Sequence, residues 1–410
     1  MTSAAQRALH AIDTHDESVR AWTHVDRDAL QSAAAHPLHN GQPLNGVVTA
    51  VKDIIATADM PTEYGSAIYR GHRPVADAPV VLLLKQAGAL IAGKTATAEF
   101  AFLGSGPTRN PHRLTHTPGG SSMGSAAAVA AGMADLALGT QTAGSIIRPA
   151  SFCGVIGFKP TFGLVSTVGV KAVAPSCDTV GWFVRDPTLL TQVWAAVLGA
   201  SAPPPSPKSI RFGVLRTRDW NFADDVSRTA VLDASQRLRQ LGHNTRELQL
   251  ENVVAETGRA QKVIMMYEAL RSLLWEYTVH ADLIGGASLA ALDAATELTT
   301  ADYQEALAAV ETARCCINDL FEDADVIITP AAIGEAPLGH SSTGDPMFAR
   351  AWTQLGVPTA AVPWTTGPHG LPVAVQLIAR PNHDATLISA VQYLAEIGPN
   401  SSEQPASSAH

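Results

Sequence analysis

Two clusters of serine and glycine lie close together in the chain, "GGSSMGSAAAVAAG" at 119–132 and "GTQTAGSIIRPASFCG" at 139–154. Such segments expose either a hydroxyl nucleophile or backbone amides, so the first question is which serine reacts and what takes its proton. Histidine, the usual base, is absent from Thr117 to Gly242. A serine hydroxyl attacks at neutral pH only with a base within hydrogen-bond reach. A lysine amine can serve if burial lowers its pKa enough to leave it neutral. Lys52 is the candidate, at the end of the apolar stretch "VVTAVKDII" (47–55), where a charged side chain needs a partner or a task. Spacing alone leaves two plainer roles open for it, a stem laid along apolar surface or a pair with Asp53.

Two other chemistries compete for the same serines. Gly120-Ser121-Ser122-Met123-Gly124 matches the G-x-S-x-G nucleophile elbow, but that motif must follow a buried strand. Here it follows "RNPHRLTHTPG" (109–119), whose prolines and polar residues disfavour one, and no downstream Asp and His pair stands out. Phosphate binding at the start of the helix "SAAAVAAGM" is the other reading. It lacks the G-K-[ST] ending of a P-loop and a neighbouring metal-binding carboxylate.

The elements that must position these residues follow an α/β rhythm. Strand-like "GVVTAVKDII" (46–55), helix-like "DAPVVLLLKQAG" (77–88) and strand-like "ALIAGKT" (89–95) come in succession. The pattern returns as a strand at 210–216, a helix at 224–242, a strand at 244–250, long helices over 252–320, and strands at 324–330 and 371–380. The expected fold class is α/β, a large mixed β-sheet covered by helices on both faces. A single domain over 1–397 is expected, with the Pro-rich stretch 199–209 as a surface excursion and 398–410 as a polar, disordered tail.

At 410 residues, 46 % apolar and 16 % charged, the chain can bury a large core. Its net charge of −9 gives no basic footprint for nucleic acid or anionic membrane. The longest apolar run is interrupted by Asp135, and the first twenty residues carry no signal-peptide core, so a cytoplasmic location is expected. Cys153, Cys177, Cys315 and Cys316 are too few and too poorly spaced for a disulfide framework or a zinc site, and are expected to be reduced and buried.

The residues also carry a family resemblance. "VKDI" around Lys52, "PGGSSMGSAAAVAAG" (118–132), "LGTQTAGSIIRPASFCGVIGFKPTFG" (138–163) and "DTVG" (178–181) resemble the core of the amidase signature family in order and spacing. The likeness extends through "ADVIITPAA" (324–332), "STGDPMFARAWTQLGVP" (342–358) and "GLPVAVQLIAR" (370–380). It implies an amide C–N hydrolase with Ser145 as nucleophile, Ser121 after a cis peptide as the proton bridge, and Lys52 as the neutral base. Amides of Thr142, Ala143, Gly144 and Ser145 would then face the developing oxyanion. Gly120 gives the bridging serine room, and Ser122 has two compatible roles, hydrogen bonding within the network or capping the following helix. No metal, nucleotide or other cofactor is implied. The expected partner is a small-molecule amide, with a homodimer open. A related possibility is an amidotransferase-type subunit working in a complex.

One departure bears on specificity. Where the family reads "GGSIR", this chain reads "AGSIIRP", which puts Arg148 three residues after Ser145. That order resembles the malonamidase branch, as do "MPTEYGSAIYRGHRPVADAPVV" (60–81) and "TVGVK" (167–171). It implies that Arg148 binds the carboxylate of a short amide such as malonamate; the alternatives are a structural ion pair to Asp178 and a general aliphatic or aryl amidase without carboxylate preference. The remaining conspicuous residues receive plainer roles. Lys94 is expected to be a structural donor, His112 and His116 to line a loop, and Cys153 to sit in the core. Asp345 and Trp352 are late-chain candidates for the pocket wall.

Overall fold

The apolar runs become eleven strands of one sheet in a computed structural model that describes residues 3–35, 41–199, 206–248 and 251–399. In chain order the strands are β1 (Trp22–Val25), β2 (Val48–Lys52), β3 (Leu90–Thr95), β4 (Leu136–Gln141), β5 (Ile156–Lys159) and β6 (Thr179–Val184). They continue as β7 (Phe212–Leu215), β8 (Thr245–Leu248), β9 (Val326–Pro330), β10 (Thr359–Thr366) and β11 (Pro372–Ala379). Their order across the sheet is β1-β3-β2-β4-β6-β5-β10-β11-β9-β7-β8. β2 runs parallel to β3 and β4, and β7 parallel to β8 and β9, while the remaining pairs are antiparallel. The sheet is therefore mixed, as the sequence predicts.

Both faces are covered, and the alternation of side chains along the central strands shows it. Val51, Leu136 and Leu138 join one apolar core with Val80, Val81 and Leu84 of the helix Pro79–Gln86. Their neighbours Val48, Ala50 and Ala137 join a second core with the helices Met123–Ala130 and Ile147–Cys153. Successive strand residues point to opposite faces, so a strand covered on both sides reads as continuously apolar. Every residue of β2 and β4 is buried.

Several boundaries differ from the sequence reading. The helical region 252–320 is four α-helices, Glu251–Ser272, Leu274–Val279, Gly286–Ala295 and Thr300–Leu320. β10 escapes the apolar pattern because it carries Pro363, where the register with β11 shifts before Thr365. The Pro-rich stretch falls mostly outside the described residues, as does nearly all of the tail. The cysteines correct an expectation. All four are free, but Cys315 is exposed and Cys316 half-buried. In the helix Thr300–Leu320 the buried face runs through Ala306, Val310, Ala313, Ile317 and Leu320, and positions 315 and 316 fall off it.

Candidate active site

Lys52 ends β2, Thr140 is the penultimate residue of the parallel neighbour β4, and both side chains lie at the same end of the sheet. Lys52 is fully buried, and its Nζ donates to Ser121 Oγ at 2.9 Å and to Thr140 Oγ1 at 2.8 Å. No carboxylate among the described residues pairs with it. Burial holds the amine well below the usual lysine range, opposed only by the more distant charge of Asp178. The pairing with Asp53 does not occur, because Asp53 lies near Lys94 at 3.9 Å. Lys94 also donates to Ile55 O and, at 2.6 Å, to Thr62 Oγ1, the structural role expected of it.

Ser121 follows a cis peptide bond from Gly120. The glycines around it are required by crowding. A Cβ on Gly120 would stand 2.7 Å from Thr343 Cγ2, and one on Gly119, at φ +81°, 2.8 Å from Pro149 Cα. Ser122 occupies the N-cap position of the helix Met123–Ala130, but its side chain makes no cap bond. Its hydroxyl donates to Thr140 O at 3.1 Å and accepts from Thr140 N at 3.2 Å. Of its two roles, the network role holds, and it locks the bridging segment to β4.

Between β4 and the helix Ile147–Cys153 the chain makes the turn 142–146. Its carbonyls are held from behind: Gln261 Nε2 donates to Thr142 O at 2.9 Å and Thr353 Oγ1 to Ala143 O at 2.8 Å. Gln141 Oε1 accepts from Ile146 N and Ile147 N at 2.8 and 3.0 Å, which fixes the helix start. Thr142 Oγ1 donates to Asp178 at 2.6 Å, and Asp178 in turn accepts from Val173 N and Ala174 N. Burial raises the Asp178 carboxyl to about 6 against these bonds. The amides of Ala143, Gly144 and Ser145 donate to no protein acceptor among the described residues. Carbonyls tied back and amides left free are what an oxyanion site requires.

Ser121, Thr142, Ala143, Ser145 and Arg148 line one cavity of about 430 Å³. Ser145 is 8 % exposed, and its hydroxyl makes no hydrogen bond among the described residues. Gly144 is packed so closely that a Cβ there would meet Pro346 Cβ at 2.7 Å. A larger hollow of about 1260 Å³, lined by residues including His116, Asp224, Trp364 and His369, contains none of the reactive set. The candidate catalytic residues that line a cavity therefore line the smaller one.

Arg148 is buried, with Nη2 donating to Gly120 O at 2.7 Å and Thr343 Oγ1 at 3.1 Å. Its Nε and Nη1 are buried without a hydrogen-bond partner among the described residues. Asp178 is committed to Thr142 and the backbone, so the ion pair between Asp178 and Arg148 does not form. Burial and the neighbouring Arg350 pull the guanidinium down to about 9. Asp345 lines the cavity as expected, whereas Trp352 packs in a core with Leu215 and Ile378. Cys153 is buried, and His112 contacts its carbonyl. The sequence reading missed Thr140, Gln141, Gln261, Arg350 and Thr353. Gln141 alone carried a signal, as an amide side chain at the end of a strand that is buried throughout. No cluster of three or more metal-binding side chains occurs among the described residues, and no helix among them is long and apolar enough to cross a membrane.

Known proteins resemble the chain over nearly its whole length. A glutamyl-tRNA(Gln) amidotransferase subunit of Acidobacterium capsulatum is 33 % identical, over 94 % of this chain and 93 % of the relative. Among solved structures, an inhibitor-bound vestigial protein complex described as revealing the origins of an s-triazine catabolic enzyme superposes with TM-score 0.87. It is 29 % identical and covers 96 % of this chain and 95 % of its own. A crystal structure of an amidase superposes at 0.86 with 28 % identity, over 96 % of both chains. The family model described as Amidase matches residues 3–388, and the chain belongs to the amidase family.

Proposed function

We propose that the chain cleaves the C–N bond of a small amide through an acyl-enzyme on Ser145. The observation that carries this reading is Lys52, buried with no carboxylate partner among the described residues and in hydrogen-bond contact with Ser121 at the wall of the cavity that holds Ser145. A neutral Lys52 accepts the Ser121 proton across the 2.9 Å contact as Ser121 Oγ accepts that of Ser145. The Ser145 oxygen bonds to the amide carbon, and the oxyanion forms against the free amides of the turn, with Thr142 completing the segment. The proton returns through the same relay to the departing nitrogen, ammonia leaves, and water then releases the acid by the reverse route.

The unpaired Arg148 nitrogens support a substrate whose acyl part bears a carboxylate, such as malonamate. On this reading Arg148→Ala weakens kcat/KM for malonamate by roughly 2–4 kcal/mol and spares propionamide. Equal damage to both substrates would make Arg148 a structural clamp on Gly120. A second reading, in which the chain is an amidotransferase-type component of a complex, is favoured by the 33 % identity to the glutamyl-tRNA(Gln) amidotransferase relative over nearly the full chain. An ammonia-release screen of the isolated chain across neutral, aromatic and carboxylate-bearing amides separates the two. Turnover without a partner supports the free-standing hydrolase. Turnover only with a protein co-purified in fixed ratio supports the component of a complex.

A further inference from the structure

Arg148 is not the sole cation at the cavity. Arg350, on the helix Met347–Gln354, lines it as well, with 21 % of its side chain exposed. Its Nη1 donates to Gln261 Oε1 at 3.3 Å, and its nearest carboxylate is the exposed Asp345, at 3.8 Å from Nη2. That distance is beyond hydrogen-bonding range. Arg148 has no carboxylate partner and two unpartnered nitrogens among the described residues. Two guanidiniums thus line one small cavity in which Asp345 is the one carboxylate among the described lining residues. Burial makes both less basic than usual, and for Arg148 the nearby charge of Arg350 adds to the effect. Like charges brought together where water is excluded destabilise each other until an anion arrives.

We propose that Arg350 is the second arm of a two-guanidinium site that, with Arg148, grips the carboxylate of the substrate's acyl part. The assignment rests on the carboxylate-bearing amide reading and extends it. A planar carboxylate has two oxygens and about four lone-pair directions, so two forks can share it without competing. Gln261 gives the arm its place. The side chain is fully buried, accepts from Arg350 through Oε1, and donates through Nε2 to Thr142 O in the turn beside Ser145. One amide therefore sets the distance between the anion-binding arm and the turn that receives the oxyanion. Asp345 competes with the substrate for Arg350 and repels its carboxylate.

The test uses Ser145→Ala protein, which binds without turnover, and isothermal calorimetry with malonamate and with propionamide. Arg350→Ala in that background is expected to weaken malonamate binding at least about tenfold and leave propionamide unchanged, with Arg350→Lys restoring part of the loss. Asp345→Asn is expected to tighten malonamate binding severalfold, a gain that misfolding cannot imitate. If Arg350→Ala and Asp345→Asn leave malonamate binding unchanged while Arg148→Ala weakens it, the second arm is overturned and the Arg148 reading stands. If malonamate binds no better than propionamide to the parent protein, the carboxylate reading itself falls, and the second arm with it.

Discussion

On the proposed mechanism Lys52 acts only while uncharged, and this fixes the expected pH dependence. Its folded pKa is depressed by burial, so the fraction of neutral base, and kcat/KM with it, rises with pH through that value and stays high on the alkaline side. The same depression has a stability consequence. A group with a lowered folded pKa contributes stability present above its unfolded value and lost as pH falls through the folded one. Lys52→Met is therefore expected to abolish turnover yet raise Tm, and to raise it more at pH 6 than at pH 9. A Tm that falls equally at both would show that Lys52 is held charged. Lys52→Ala, Ser121→Ala and Ser145→Ala each lower kcat by about 10³-fold or more, and the losses do not add in pairs. From the residues alone, the histidine-free stretch offered a lysine base and left the reacting serine open; the family resemblance singled out Lys52, Ser121 and Ser145, and the fold puts Ser121 in contact with Lys52 and on one cavity with Ser145. Their supports were not. The Thr140 contact with Lys52 spans 88 positions and the Gln261 contact with Thr142 spans 119, and a single hydrogen bond between distant elements leaves no periodicity to read.

Among the elements, the turn 142–146 is held rigid from behind and the helix Met123–Ala130 is pressed against its neighbours. Removing Gln261 or Thr353 frees a carbonyl of the turn 142–146 without touching substrate. Thr353→Val is expected to lower kcat with little change in KM, by less than the roughly 100- to 1000-fold caused by loss of a direct oxyanion donor. Steady-state kinetics with propionamide checks this, since that substrate has no carboxylate to involve the arginines. A rise in KM with kcat unchanged would mean that the turn does not receive the oxyanion. The helix Met123–Ala130 carries a sharper constraint. A Cβ at Gly124 would lie 2.3 Å from Ala21 O and 2.5 Å from Ala96 N, backbone atoms that cannot rotate away. Gly124→Ala is expected to destabilise by about 1–3 kcal/mol or more, read by thermal unfolding. An unchanged Tm would show that the helix does not pack so closely. The sequence presented this helix as an apolar run opened by serine and glycine. Nothing in that run signalled that the glycine meets the backbone at Ala21 and Ala96, because a missing side chain advertises neither its neighbour nor its distance.

Across the whole molecule, the candidate catalytic side chains gather where β2 and β4 end side by side, the carboxyl ends of parallel strands, where open α/β sheets place their sites. The alternation of strand and helix was legible because a strand buried on both faces is mostly apolar, as β2 and β4 are apart from Thr49 and their polar last residues. The order of the strands was not, since β10 pairs with β5 across two hundred positions and pairing at that range depends on all the intervening packing. The same assembly brings Ser121 and Ser145 from two loops to one cavity, and the central claim is that the second of these serines is the one that attacks. Labelling the intact protein with a fluorophosphonate and locating the adduct by peptide mass tests it most directly. A single adduct on Ser145 that is lost in Lys52→Ala is expected; an adduct on Ser122, or labelling of Ser145 that persists at the same rate without Lys52, would overturn the assignment.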